Sequence, residues 1–251
     1  MLTRAGLASV AGRHKRIVLK PNLVEAALPP ITTPVELTAA VVDFLRSAVP
    51  QAEIIIAEGC GSKTYDTDHC FARLGYHELA AAKGVELVDL NRQPTIRLTL
   101  PDCRRWPEMH LPALLFESFL VSLPVLKVHT LAKVTLTLKN MMGAAPPCHY
   151  QQGGHWKKAA FHHDIQAAVA DLNRYRSPDF TLLDATVGLA QSHLGGPPCK
   201  PPPGLLAASF DPVALDAYGA DLLNLDWREI DHIRELHGEL GFAEPLTVVA
   251  V

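Results

Sequence analysis

The chain has 251 residues, of which 48% are hydrophobic and 20% are charged, and its formal net charge at pH 7 is −3. This composition is ordinary for an enzyme-sized globular protein, and the small negative charge gives no overall case for binding nucleic acid or an anionic membrane. No run approaches the roughly eighteen apolar residues of a membrane span, and residues 1–13 lack the apolar core of a signal peptide, so we predict a cytoplasmic protein.

The first half of the chain alternates apolar strands with helices. Residues 16–20 and 53–57 are short apolar runs, and residues 34–45 between them carry apolar side chains at helical spacing. This order predicts a parallel sheet with a right-handed crossover. The pattern then predicts short helices at 67–74 and 76–83, a strand at 85–90, a half-exposed edge strand at 95–100, and a strand or a helical turn at 110–115.

The second half of the chain also alternates predicted strands and helices, but the loops between them are longer. It predicts strands at 119–124, 180–184, 205–209 and 247–251, and helices at 163–173, 213–223 and 228–240. Residues 131–142 fit either a helix or a strand. Loops rich in Pro and Gly span 144–158 and 188–204. A loop as long as the first is usually functional or mobile in a compact domain. We therefore predict one α/β domain over residues 1–251, with a mostly parallel central sheet, helices on both faces and long active-site loops.

The most unusual stretch runs from Ser122 to Gly143. Directly after an apolar strand it places Lys127, His129, Lys133 and Lys139 within thirteen residues. Lysine is almost never fully buried without a partner. These side chains are therefore either surface cations or groups that converge on an anion, and Asn140 follows them directly.

Two other polar segments also follow predicted strands. Lys20 and Asn22 end the first strand, and Glu58 begins the segment EGCGSKT after the second. That segment is similar to a phosphate-binding P-loop, but its residue order and glycine spacing differ, which leaves a looser anion-binding loop or a plain turn. Open parallel sheets bind ligands at the carboxyl ends of their strands, so the three motifs are predicted to share a site. In the alternative interpretation, Lys20 points to solvent and Asn22 caps a turn.

Four of the twelve histidines lie within fifteen residues of one another, and Asp164 follows them. They are His149, His155, His162 and His163. Clusters of imidazole and carboxylate suit zinc or another divalent metal, although this spacing matches no standard signature. The alternatives are proton transfer by a histidine and a helix cap for Asp164.

The remaining motifs, and the absence of others, limit the classes of enzyme that the sequence fits. Asp184 ends a strand as a candidate site carboxylate, whereas Asp211 before Pro212 is favoured as a helix cap. Neither GxSxG nor GxGxxG occurs, which disfavours a serine hydrolase and a Rossmann dehydrogenase. The five scattered cysteines form no CxxC, which predicts reduced thiols and no iron–sulfur cluster.

Many of these segments occur together in one known family. They are Lys20-Pro21-Asn22-Leu23, Glu58-Gly59, Gly75-Tyr76, residues 123–129 and 137–143, the helix at 162–173, Asp184, Gly195-Gly196-Pro197 and residues 209–216. In this order they resemble the DUF362 family of uncharacterised bacterial and archaeal proteins. Some members resemble this domain fused to a ferredoxin module, whose cysteines are missing here.

A fainter similarity is to the lactate racemase family, which uses a nickel pincer nucleotide cofactor. It consists of the α/β layout and of lysines and histidines near a glycine. The lysine and histidine cofactor ligands of that family cannot be assigned in this sequence residue by residue.

These observations predict an enzyme that acts on a small anionic substrate, a carboxylate or a phosphate, with or without help from a metal such as Zn or Ni. The proposed catalytic residues are Glu58, His129 and Asp184, and the proposed substrate-binding residues are Lys20, Asn22, Lys127, Lys139 and Asn140. The loop at 144–158 would act as a lid. The alternatives are a non-catalytic module that binds a metal, a nucleotide or a redox partner, and a lactate-racemase-like isomerase with nickel. Nucleic acid is disfavoured because there is no basic helix. The sequence does not decide whether the protein forms a homo-oligomer.

Overall fold

The computed structural model describes residues 1–250, which form ten strands and nine helices joined by loops and short 3₁₀ turns. The strands are β1 (Arg16–Pro21), β2 (Glu53–Glu58), β3 (Glu86–Asp89), β4 (Thr95–Thr99), β5 (Glu108–Pro112), β6 (Phe119–Leu123), β7 (Val125–His129), β8 (Lys133–Thr135), β9 (Phe180–Leu189) and β10 (Leu205–Ser209). The helices are α1 (Leu7–Ala11), α2 (Val35–Ala48), α3 (Thr67–Arg73), α4 (Tyr76–Lys83), α5 (Thr137–Asn140), α6 (Pro147–Tyr150), α7 (Ile165–Tyr175), α8 (Pro212–Leu222) and α9 (Asp231–Leu236).

Eight of these strands form one central sheet in the order β3-β2-β1-β6-β9-β7-β8, with β10 also paired to β9. The pairs among β1, β2, β3, β6 and β9 are parallel, whereas β8 and β10 join their neighbours in antiparallel register. The prediction of an α/β protein with a mostly parallel central sheet is confirmed.

None of the helices among residues 1–250 has both the length and the apolar character to span a bilayer.

Both faces of the sheet are covered, because successive strand residues point to opposite sides. On β1, Ile17 and Leu19 belong to the apolar core shared with α2, α3 and α4, whereas Val18 belongs to the core shared with α7, α8 and α9. All three side chains are fully buried. Full burial stabilises each by about 1.5–3 kcal/mol relative to exposure, which explains why the strands read as continuous apolar runs.

Strand β7 continues β6 across Pro124, and both pair with β9. Strand β10 pairs with β9 from Thr181 to Ala185, so β6 and β7 must share the other edge of β9. Lys127 and His129 therefore lie within a strand and not in the loop that follows one. This extension projects beyond the ends of β1 and β2 and forms a wall for any cavity there.

Several predicted elements differ from the structure. Strand β4 is not an edge of the central sheet but pairs only with β5. The alternation of apolar and polar residues in β4 shows that one face is covered, but it does not show which strand is its neighbour. Residues 131–142 contain both a strand and a helix, β8 and α5. The predicted helix at 228–240 is reduced to a 3₁₀ turn and α9, residues 247–250 form no strand, and Val251 lies outside the described residues.

Candidate functional site

A cavity of about 210 Å³ lies at the carboxyl ends of β1, β2 and β7, where the sequence predicted a site. Its polar lining comes from strand ends, from α5 and from two loops. The polar and charged side chains are Asn22, Glu58, Lys127, His129, Thr130, Thr135, Lys139, Asn140, Lys158, His162 and His193, and the apolar ones are Val24, Leu131, Met142, Trp156 and Leu194.

A buried ion pair lies at the inner end of this cavity. Lys20 Nζ is 3.0 Å from Glu58 Oε2, and both side chains are almost completely excluded from solvent. Lys20 also donates to the Pro21 carbonyl and to Asn140 Oδ1, each at 3.3 Å, so all three of its N–H groups are used. Glu58 accepts the backbone N–H groups of Leu23 and Gly59 in addition. The prediction that Lys20 binds substrate therefore conflicts with the geometry.

Asn140 joins the strands beneath the cavity. Its Oδ1 accepts from Lys20 and from Asn22 Nδ2, and its Nδ2 donates to the Lys20 carbonyl and to Ser122 Oγ. Asn22 Oδ1 in turn accepts from Lys127 Nζ at 2.9 Å. Because the amide of Asn140 has no free group left, its main contribution is to hold Lys20 and Asn22 in place, although both asparagines line the cavity.

Two glycines allow this network to close. A Cβ atom on Gly143 would overlap Glu58 Oε1 and approach Lys20 Nζ to 2.7 Å, and a Cβ atom on Gly59 would overlap the Gly143 carbonyl. The backbone of the residues after α5 therefore packs directly on the ion pair. This close approach explains why glycine occupies the last position of the motif at 137–143 and the position after Glu58.

The lysines differ in how many N–H groups remain for a ligand. Lys127 donates to Asn22 Oδ1 and to the Ile31 carbonyl, and Lys158 donates to Asn91 Oδ1 and the Ala145 carbonyl, which leaves each with one free N–H. Lys139 has no hydrogen-bond partner among the described residues and lines the cavity. Lys133 is an exposed residue that pairs with Glu229 at 3.4 Å.

Burial disfavours the charged form of these amines. It lowers the pKa of Lys127 to about 7, with a further contribution from the charge of Lys139, and it lowers the pKa of Lys158 to about 7 and that of Lys139 to about 8. Glu58 is the only carboxylate that lines the cavity in the part of the chain that the structure describes, and it is paired with Lys20. The cavity therefore has cationic groups in excess when its lysines are protonated.

His129 is held in one tautomer. Its Nδ1 accepts the backbone N–H groups of Leu131 and Ala132 at 3.1 and 3.0 Å, so the neutral ring carries its proton on Nε2. Burial and the charge of Lys139 lower the pKa of His129 far below its ordinary value. In this geometry His129 is a hydrogen-bond donor, which restricts the proton transfer predicted for it. His193 stacks on it with ring centroids 4.0 Å apart, and burial lowers the pKa of His193 to about 3.

Asp184 and three of the four clustered histidines lie away from the cavity. The Asp184 carboxylate turns back onto its own strand and accepts the N–H and the hydroxyl of Thr186. His149 stacks on His110, and His155 packs against Trp156. His163 is exposed, and only His162 lines the cavity.

The four histidines thus do not converge, because His149 lies in α6, His155 in the irregular stretch after it, and His162 and His163 in a 3₁₀ turn before α7. Among residues 1–250, no three His, Cys, Asp or Glu side chains are placed to hold a metal ion together. Asp164 instead caps α7 by accepting from the Ala167 N–H at 3.4 Å, as the alternative interpretation had it.

Sequence reasoning missed His193 and Lys158 as cavity residues. His193 lies in the long loop at 188–204, and Lys158 ends the loop at 144–158. The sequence predicts both segments as loops, but no local pattern distinguishes these side chains from exposed ones. A single basic residue in a Pro- and Gly-rich segment carries no periodicity that would show its burial.

Two aspartates organise the elements behind the site. Asp211 caps α8 by accepting from Val213 and Ala214 N–H groups, as predicted. Asp216, on α8, is fully buried and accepts the backbone N–H groups of Thr137 and Leu138 at 2.7 and 3.0 Å. Asp216 therefore holds the start of α5, the helix that carries Lys139 and Asn140.

The fold and this site define an α/β protein whose parallel strands end at a cavity rich in lysine and histidine. The chain belongs to the family described as a domain of unknown function, DUF362, whose family model matches residues 17–221. The resemblance read from the motifs is confirmed by this match.

Two comparisons extend the assignment. A thylakoid-associated protein of Synechocystis sp. is 28% identical over 239 residues, which cover 88% of this chain and 67% of the relative. The lactate racemase apoprotein from Thermoanaerobacterium thermosaccharolyticum is structurally similar, with a TM-score of 0.50 and 16% identity over 84% of this chain and 49% of that chain. This chain thus spans about half the length of that solved structure. At such low identity the likeness shows a shared fold alone.

Proposed function

We propose that the protein is an enzyme that acts on a small anionic substrate, a carboxylate or a phosphate, in the cavity at the strand ends. The observation that carries the proposal is the imbalance of charge. Lys127, Lys139 and Lys158 all line one cavity, whereas Glu58, its single carboxylate among residues 1–250, is bound to Lys20. Lys127 and Lys158 are buried and Lys139 is partly buried, and none of the three has a carboxylate partner among the described residues. Their charged forms are therefore unfavourable, and a ligand that supplies negative charge supports them.

The neighbouring donors fit the same ligand. The free N–H groups of Lys127 and Lys158 and the Nε2–H of His129 form charge-assisted or neutral hydrogen bonds to anionic oxygens. The apolar residues around them, including Trp156 and Leu194, exclude water and strengthen these interactions. Glu58 is too strongly bound by its three donors, Lys20 and the backbone N–H groups of Leu23 and Gly59, to be the first choice for proton transfer, so the reaction depends on the amines and imidazoles.

We expect pyruvate and inorganic phosphate to bind at pH 7, and a Lys127→Met variant to bind each more than about tenfold more weakly, since a hydrogen bond to a charged group contributes roughly 1.5–3 kcal/mol. Bound anion raises the lysine pKa values above those of the free protein, about 7 for Lys127 and about 8 for Lys139. Affinity for pyruvate is therefore highest below pH 7 and falls as pH rises to 9, on the order of tenfold per unit for each proton taken up. Calorimetric titration at several pH values measures both effects.

The control is Lys133→Met, which removes an exposed lysine from the same hairpin. This variant should bind both anions as the wild type does and keep the same pH dependence. If neither anion binds to the wild type, or if Lys133→Met weakens binding as much as Lys127→Met, the proposed anion site is wrong. Binding without turnover of any small carboxylate or phosphate would favour the non-catalytic module.

A racemase-like isomerase with a nickel cofactor is the second candidate, favoured by the shared fold and by the lysines and histidines of the cavity. The donor set does not provide a metal cage of its own, since no three metal-ligating side chains converge in residues 1–250. We therefore expect elemental analysis of the purified protein to find neither nickel nor zinc in stoichiometric amount. Stoichiometric nickel would overturn this expectation and support the isomerase.

A further inference from the structure

Lys139 differs from the other lysines of the site in the hydrogen bonds that its amine makes. Lys20, Lys127 and Lys158 each donate to at least two oxygen atoms, but Lys139 Nζ has no hydrogen-bond partner in residues 1–250 and faces the cavity. Ordering a long side chain costs up to about 2 kcal/mol of rotamer entropy. Among residues 1–250 no hydrogen bond or ion pair of the amine offsets that cost, and Asp216 holds the start of the helix that carries Lys139.

The surroundings of Lys139 also favour its neutral amine. The groups that sense its charge are themselves basic, namely Lys127, His129, His162, His193 and His232. The one carboxylate on the cavity wall is paired with Lys20. Burial lowers the pKa of Lys139 to about 8, so an appreciable fraction is unprotonated near neutral pH. A neutral amine is a poor ligand for an anion but a good nucleophile.

We propose that Lys139 is a catalytic residue that condenses with the carbonyl group of a small 2-oxo acid to form an imine. This inference rests on the proposed function of the same cavity. The Nζ lone pair attacks the carbonyl carbon, a C–N bond forms, and the carbonyl π bond breaks to give a carbinolamine. The carbonyl oxygen then leaves as water with the two amine protons, and a C=N bond remains.

The other groups of the cavity match the rest of such a substrate. The Nε2–H of His129 is available to polarise the carbonyl oxygen, because Nδ1 is occupied by two backbone donors. The free N–H groups of Lys127 and Lys158 are available to the carboxylate. The site therefore offers an amine and a donor for a carbonyl group beside two further lysines, whose protonated forms a bound carboxylate would stabilise, and this combination is the chemistry of a 2-oxo acid.

The test is reductive trapping. The full-length protein is incubated with pyruvate at pH 7.5–8, the imine is reduced with sodium borohydride, and peptides are mapped by mass spectrometry. We expect Lys139 to carry the stable secondary amine, which adds the mass of pyruvate less one oxygen atom. Calorimetric titration of pyruvate into the untreated protein is run in parallel and reports binding independently of the covalent step.

The Lys139→Arg variant is the matched control, because it keeps the positive charge but has no nucleophilic amine. It should still bind pyruvate and should lose the adduct completely. If pyruvate binds but borohydride traps no adduct on Lys139, or labels lysines in proportion to their exposure, the imine is wrong and the anion site stands. If pyruvate neither binds nor is trapped, both proposals fall.

Discussion

Replacing Lys20 by Met is expected to lower the free energy of unfolding by about 3–5 kcal/mol, the cost of leaving one member of a buried ion pair without its partner. Glu58 would keep its charge with only the two backbone N–H donors of Leu23 and Gly59. Asn140 Oδ1 would also lose a donor. Urea unfolding at pH 7 measures the change, which should appear in the midpoint with little change in slope.

A double-mutant cycle identifies the cause. The Lys20→Met/Glu58→Gln variant should lose less than the sum of the two single variants, with a coupling of about 1–3 kcal/mol. Arg16→Met is the matched control on the same strand, because Arg16 pairs with Glu53 at the shorter distance of 2.7 Å but the two side chains are 35% and 51% exposed. An exposed pair contributes at most about 1 kcal/mol. Similar losses for Arg16→Met and Lys20→Met would show that burial of the pair is not what matters.

Replacing Lys139 by Met is expected to have the opposite sign and to raise the free energy of unfolding at pH 7 by up to about 3 kcal/mol. The lysine pKa is lowered from 10.5 to about 8 in the folded protein, and each unit corresponds to about 1.4 kcal/mol. The unfolded chain then binds more protons than the folded one between about pH 8 and pH 10.5. The contribution of this lysine to stability therefore improves as pH rises through that window.

The gain from Lys139→Met should accordingly shrink as pH rises from 7 to 10. Thermal or urea unfolding of both proteins across this range measures the difference. The same variant should lose the pyruvate adduct. At this residue the lysine would therefore lower stability while providing the proposed function. If the variant is less stable than the wild type at pH 7, or if the difference in stability does not change with pH, burial does not disfavour the charged form of Lys139 in the folded protein.

Together the two substitutions separate a lysine that stabilises the fold from a lysine that we propose to react with a ligand. Lys20 donates three hydrogen bonds inside the protein, whereas Lys139 donates none among the described residues. Both follow or lie in motifs that the sequence presents in the same way, as cations near the end of an apolar segment. What distinguishes the two lysines is the number of hydrogen-bond partners that each has within residues 1–250.

The amino-acid sequence by itself determined the class of fold and the end of the sheet at which the cavity lies. Continuous apolar runs and helical spacing are local patterns, and chain connectivity places the polar residues after parallel strands at one edge. This reasoning brought Asn22, Glu58 and Lys127 to one cavity before any coordinates. It also identified the family, because the motifs recur in a fixed order along residues 17–221.

Only the tertiary structure decided what each of those side chains does. Lys20 meets Asn140 and Lys127 meets Asn22 across separations of 120 and 105 residues, so no local pattern shows which N–H groups are already used. The same holds for His129, whose tautomer depends on how the turn after β7 folds back, and for Lys158 and His193, which loops bring to the cavity. Hydrogen-bond satisfaction and desolvation depend on all neighbours in space, and these are properties of the folded chain.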